Sequence, residues 1–323
     1  MSTFALPPGW LRGVALLVGA SALLYLAMII WSGATDSYTS IKRLGLATIG
    51  AGTLIASTSY LVRFARWQLI LGWLGHHLPA GVSFRVYLSG LAVTSSPGKL
   101  GETIRSLFLL PRGVPLPASL AAFFTDRLSD VAGVALLAVG GSMMMGGRSF
   151  LFEGIFAAVL LVGGLLAFFF RKGPVGAVLA ACRGMPRAAA WAERLLAPAQ
   201  CWTKVWTFPR SLLFAASAFL AYGIQALVLA MYVRTLGTAV EIGHCVYIFA
   251  SSTLIGAASM IPAGLGAMEA AVVYQLTSTG MSLPDAIAVA IAHRLSTLWF
   301  ATGLGVAAML SLAPLQNDAP SGN

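Results

Sequence analysis

Nine ionisable side chains stand where the chain is otherwise apolar: Lys99, Glu102 and Arg105; Asp126, Arg127 and Asp130; Glu269; and His293 with Arg294. On translocon scales a charge at membrane depth costs about 2.5 to 3.5 kcal/mol, so such a group faces a cavity or a partner and marks a candidate site. Arg127 and Arg294 lie well inside their apolar runs, and Asp126 and Asp130, four apart, share a helix face. Two chemistries fit. Arg127 pairs with Glu102 and Arg294 with Glu269, stapling structure together, or the cations bind an anionic ligand directly. Lys99 and Arg105 flank Glu102 beside the break at Pro97-Gly98, and broken backbone with unpaired N–H groups and nearby cations suits a phosphate. His293 is deep enough to relay protons, although a packed neutral imidazole is the commoner role; His76 and His77 fall in a turn and His244 opens an apolar stretch. Cys182, Cys201 and Cys245 are too scattered for a disulfide framework, and no Cys/His spacing suits zinc, so neither a metal nor a cofactor is expected.

The elements that position these groups must be transmembrane helices. Of 323 residues, 58% are hydrophobic and 9% charged, against about 25% charged in a soluble domain. The mean hydropathy of +0.86 excludes one greasy segment on a soluble body. The 20 Lys and Arg against 10 Asp and Glu are spread between apolar runs, as in cytoplasmic loops, which sets nucleic acid aside. Runs of about 20 residues, enough to cross, cover 11–31, 44–66, 118–143, 152–170, 209–233 and 284–312. The first is too long for a signal-peptide core and lacks a cleavage site. Two further regions, 84–110 and 244–280, are interrupted by Pro and Gly at Pro97, Gly98 and Gly101 and at Pro262, Gly264 and Gly266. Both read as re-entrant hairpins, tolerated where broken backbone lines a cavity; the second, with longer flanks, is alternatively two crossings. The fold class is therefore all-α: a single membrane domain, 1–323, of about six spans and two hairpins.

Lys and Arg set the orientation. The connector 171–208 is basic, and Arg63, Arg66 and Arg85 are assigned to the turn after the second span, which puts both turns and both termini in the cytoplasm. Trp191, Leu195, Trp202 and Trp206 among the connector's basic residues suggest a helix on the inner leaflet, with an ordinary interfacial connector as the plainer alternative.

A repeat organises the chain. Leu116-Pro117, Ala121 and Arg127-Leu128-Ser129 align with Leu283-Pro284, Ala288 and Arg294-Leu295-Ser296 at an offset of 167 residues, from 116 to 283. The same offset carries Glu102 onto Glu269, and with a slip of two, Pro97, Leu100 and Gly101 onto Pro262, Leu265 and Gly266. The units are 44–130 and 209–297. Three crossings between the hairpins turn the second unit upside down, the arrangement of many secondary transporters.

With these motifs on the page, the chain resembles the flippase-like membrane domain of bacterial lysylphosphatidylglycerol synthases and the standalone proteins that share it. The resemblance rests on Arg63-x-x-Arg66-Trp67, Pro97-Gly98-Lys99-Leu100-Gly101-Glu102-x-x-Arg105, Asp126-Arg127-x-x-Asp130, Ile261-Pro262-x-Gly264-Leu265-Gly266-x-x-Glu269 and Arg294. Relatives often carry Gly where this chain has Ala263, and Arg where it has Met268, so an arginine contact there does not transfer. The resemblance implies movement of a lipid with an anionic or aminoacylated headgroup across the inner membrane; standalone relatives also occur beside glycolipid and hopanoid pathways. The 11 residues after 312 are too few for the soluble synthase domain, so synthesis is not expected. A scaffold of a lipid pathway and a membrane-embedded lipid-phosphate enzyme are the competing readings; a lone deep histidine without a paired nucleophile disfavours the latter. No Walker motif is present, so active transport would draw on an ion gradient or on lipid consumption. An oligomer is compatible with all of this.

Overall fold

The computed structural model describes residues 10–94, 96–147, 154–155, 158 and 186–312. The predicted span 152–170 falls outside the described residues except at 154, 155 and 158, as does the connector before 186. Every regular element among the described residues is helical. Helices α1 (Trp10–Trp31) and α2 (Ala34–Leu44) meet at a bend of 110°. They lead into α3 (Leu46–Trp73) and then the first hairpin: α4 (Ala80–Leu91), a 3-10 turn Pro97–Ile104, and α5 (Arg105–Leu109). After α6 (Leu116–Met144) come α7 (Pro186–Val205) and α8 (Phe208–Thr235). The second hairpin is α9 (Ile242–Ala258), a 3-10 turn Pro262–Gly264 and α10 (Ala267–Ser278). The chain closes with α11 (Leu283–Arg294), a π-helical turn Leu295–Trp299 and α12 (Phe300–Leu312).

Phe208–Thr235 and the continuous Leu283–Leu312 are long and apolar enough to cross a membrane, and the bent α1–α2 pair makes a third candidate. At 1.5 Å per residue, α3 and α6, with 28 and 29 residues, reach about 42 Å, but both carry internal charges. The Leu-Pro that begins each aligned segment is a helix start. Pro117 and Pro284 sit in the first turns of α6 and α11, where a missing N–H loses nothing.

Helix α3 corrects the assignment of Arg63 and Arg66 to a cytoplasmic turn. It runs on to Trp73 and stops at Gly75, whose φ of 85° turns the chain, so both arginines lie inside the helix and are buried. Only Arg85 of that trio lies in the following segment, midway along α4.

Two apolar clusters mark the ends of the bundle. One gathers Leu71, Leu109, Val114, Val205, Trp206 and Leu312; the other gathers Leu44, Leu236, Val240, Leu276 and Met281. The first hairpin enters from the first end and the second from the other, and their 3-10 turns pack against each other. The helix partners are exchanged. Helix α4 of the first hairpin packs on α12, and α9 of the second packs on α6. Glycines permit both crossings: a Cβ on Gly305 would run into the backbone of Leu91 and Ala92, and one on Gly141 would lie 2.7 Å from the Tyr247 backbone nitrogen.

Gly305→Val is expected to lower the stability of the detergent-solubilised protein by about 3 kcal/mol, the upper part of the overpacking range, because the obstacle is backbone. Gly303→Val, two residues away with nothing within 4 Å of the added Cβ, is expected to leave the melting temperature nearly unchanged.

Candidate functional site

The sequence brings four arginines and three carboxylates together between α3, the first hairpin and α6. Arg63 Nη2 donates to Asp130 Oδ2 at 3.0 Å, and Arg66 Nη2 donates to Asp126 and, at 2.6 Å, to Asp130 Oδ1. Arg105 Nη2 lies 2.9 Å from Glu102 Oε2. Arg127 Nη2 reaches Asp126 at 2.7 Å, Asp130 at 3.1 Å and Glu102 at 3.4 Å. The Arg127–Glu102 pair expected from the sequence is present, but Asp126 is the nearer anion. Tyr222 Oη from α8 donates to Asp130 at 3.0 Å and Thr94 Oγ1 donates to Glu102 at 2.7 Å. Helix geometry explains the convergence. Arg63 and Arg66 are three apart on one face of α3, as Asp126 and Asp130 are four apart on α6, so two rows of opposite charge meet across one helix contact.

The second unit carries a simpler version. Arg294 Nε donates to Glu269 Oε1 at 2.7 Å, and Nη2 donates to the carbonyl of Ala263 at 2.8 Å in the hairpin turn. Glu269 Oε2 accepts from the Gly266 N–H at 2.9 Å, which caps α10. Tyr25 of α1 joins the pair, its hydroxyl 3.4 Å from Glu269 Oε1 and 3.1 Å from Trp299 Nε1. Met260 and Ala263 hold φ of 54° and 58° around Ile261-Pro262. Left-handed backbone disfavours both side chains by about 1 to 2 kcal/mol each. Gly264 has φ 64°, and a Cβ there would stand 3.0 Å from the Gly256 backbone.

Where the two hairpins meet lies a cavity of about 310 Å³. Most of its wall is apolar, including Leu91, Val134, Phe249, Leu254 and Met268; the charged part is Arg63, Arg127, Asp130 and Arg294, with His293 beside them. Ile261 on its lining is 44% exposed, so the apolar side reaches the outside of the bundle. His293 Nε2 stands 3.1 Å from the backbone carbonyl of Gln225, and its ring meets Phe249 edge-on at 5.4 Å. The π-helical turn just after Arg294 presents the Thr297 carbonyl to Tyr60 Oη at 2.7 Å, and π turns are frequent at functional sites.

The candidate residues separate into two layers. Arg127, Asp130, His293, Arg294 and Gly264 line the cavity; Glu102, Asp126 and Glu269 are fully buried behind it and hold the arginines in place. Arg105 is a correction. Instead of facing a ligand beside Lys99, its guanidinium fills the slot above Gly90, lies 4.5 Å from the Tyr87 ring centre and 5.0 Å from that of Trp67, and donates from Nε to the Tyr87 carbonyl at 3.0 Å. Pro97, Gly98 and Lys99 lie in the described 3-10 turn, but the Lys99 side chain is outside the described parts. Gly101 holds that turn closed, its N–H donating to Ser96 Oγ at 2.6 Å. Pro262 begins the second turn and Gly266 ends it. Sequence reasoning missed Arg63 as a wall residue; its three-residue spacing from Arg66, matched to Asp126 and Asp130, was the available signal. In the connector, Trp191 is exposed, while Trp202 and Trp206 are buried and stack at 5.1 Å, Trp206 also meeting the Phe214 ring at 6.1 Å.

Two outcomes follow for stability. Ala263→Gly is expected to raise it by about 1 kcal/mol by relieving the left-handed backbone, read as a higher melting temperature in detergent. Arg66→Ala, which leaves Asp126 and Asp130 short of a buried partner, is expected to lower it by about 3 to 5 kcal/mol, with loss of the monodisperse species on size exclusion.

No curated protein matches the chain. The family model described as the lysylphosphatidylglycerol synthase TM region matches residues 13–305, which include both hairpins, the seven-residue ion cluster and the Arg294–Glu269 pair. The chain thus belongs to the family of the lysylphosphatidylglycerol synthase TM region.

Proposed function

We propose that this membrane protein, from a family tied to membrane lipid, moves a lipid with a charged headgroup between leaflets by alternating access. The observation that carries the reading is the cavity where two hairpins from opposite ends meet: a guanidinium wall in an otherwise apolar, side-open space. A headgroup held there escapes the hydrocarbon while its acyl chains stay in it, and the barrier to crossing falls with each interaction that replaces its hydration. The reciprocal packing of α4 on α12 and α9 on α6 supports an inverted repeat of 44–130 and 209–297 within a six-span architecture. Rocking of such units exposes one site to either side in turn.

Transport rather than catalysis is the reading because the acidic groups are occupied. Glu102, Asp126, Asp130 and Glu269 all pair with arginine, and His293 Nε2 faces a backbone carbonyl. Orientation follows from the ends of the bundle. The end holding the α3–α4 and α7–α8 connections carries Arg85, Arg112, Lys204 and Arg210, whereas the other mixes Lys42, Arg43 and Arg234 with Asp36, Glu241 and Asp285. The basic end faces the cytoplasm of a bacterial inner membrane, with both termini on that side.

The test is a leaflet-resolved lipid assay in proteoliposomes across anionic, aminoacylated, glycosyl and hopanoid lipids. Wild-type protein is expected to accelerate movement of at least one charged class. Arg127→Ala and Arg294→Ala, in protein that elutes as the wild type does, are expected to abolish it, and Arg85→Ala to change it less than twofold. Wild-type rates from both cavity variants, or no acceleration of any lipid, sink the reading.

A further inference from the structure

The charge arithmetic of the site narrows the ligand, given the transport reading above. Counted as ions, the four guanidiniums and three carboxylates of the first unit's cluster leave one positive charge in excess, while Arg294 with Glu269 is neutral. An uncompensated buried charge costs several kcal/mol, and among the described residues the cluster shows the cavity two guanidiniums, Arg63 and Arg127, against one carboxylate, Asp130.

From this balance we infer that the cavity binds a monoanionic phosphodiester headgroup and discriminates against headgroups that carry an ammonium. One negative charge neutralises the cluster; two phosphate oxygens suit the guanidiniums as acceptors. An aminoacyl or choline group needs an anion or an open aromatic face of its own. Asp130 is the one carboxylate on the wall among the described residues, and it already accepts from Arg63, Arg66 and Tyr222. The Tyr222 ring is taken as well, with the Arg63 guanidinium 5.5 Å from its centre, and the other aromatic rings on the wall, Tyr60 and Phe249, are buried, Phe249 packing against Tyr222 and His293. At about 310 Å³ the space is at the small end of ligand sites. It holds a headgroup, and the apolar side open at Ile261 takes the chains of a lipid.

Retention measured apart from transport tests this. Purified protein in detergent is offered an equimolar mixture of a glycerol-phosphodiester lipid, its lysyl ester and a choline lipid with identical acyl chains. The water-soluble glycerophosphodiester is offered separately, and bound species are read by native mass spectrometry. The monoanionic lipid is expected to be retained at least tenfold over the lysyl ester and the choline lipid, and Arg63→Gln, which removes the excess charge, to abolish that preference. Equal or better retention of either ammonium-bearing lipid by the wild type overturns the inference, whether or not the variant folds. Equal retention of the soluble diester overturns its lipid part. Selective retention without leaflet exchange defeats the transport reading and leaves this site standing.

Discussion

Burying seven ionised side chains in the middle of a membrane protein is the constraint around which this molecule is arranged. Each charge taken from water costs several kcal/mol, and only mutual pairing with further hydrogen bonds offsets it. Arg66 illustrates the requirement, since it bridges Asp126 and Asp130, the two carboxylates of one helix face. That bridge fixes the rotation of α6 against α3, and Arg127 and Arg105 then fix the first hairpin through Glu102. An apolar replacement of similar volume would hold the helices together at least as well. Three of the seven, Arg63, Arg127 and Asp130, also line the cavity.

The second unit reaches a comparable position with different means. There a single Arg294–Glu269 pair is supported by backbone: the guanidinium takes a turn carbonyl, and the carboxylate caps a helix. Its turn holds two non-glycine residues in left-handed conformations, strain of the kind that persists where surrounding structure over-determines it. The first unit spends charge and the second spends backbone. The cavity consequently has one wall with a positive charge in excess and one nearly neutral wall.

Much of this was legible in the sequence because rare residues in an apolar chain leave few alternatives. Pro, Gly, Glu and Arg mark the breaks and the charges, and Arg294 with Glu269 could be paired from spacing alone. What misled was the use of a charge as a boundary. Cutting the second span at Arg66 assumed that an arginine ends a membrane segment, when Asp126 and Asp130 on another helix supplied its compensation. Pairing across 60 residues is invisible to a hydropathy window. Arg105 failed for a related reason: a cation beside Pro-Gly suggests an anion site, but the aromatic slot formed by Trp67 and Tyr87 over Gly90 depends on how α3 and α4 pack. Trp202 and Trp206 look interfacial by composition, and their burial, with Trp206 against Phe214, depends on tertiary packing that composition does not show.

The exchange of helix partners also bears on how the chain is built. All seven members of the ion cluster fall between residues 63 and 130, so its carboxylates can all find their arginines soon after α6 leaves the ribosome. The apolar contact is different: α4 waits for α12, more than 200 residues later, to bring Gly305 against Ala92. At synthesis rates of about 5 to 20 residues per second, that gap lasts on the order of ten to forty seconds. For that interval a short hairpin, already anchored by its arginines, has one flank open to lipid or to the insertion machinery. Chain order thus lets the ion pairs form before this apolar contact can.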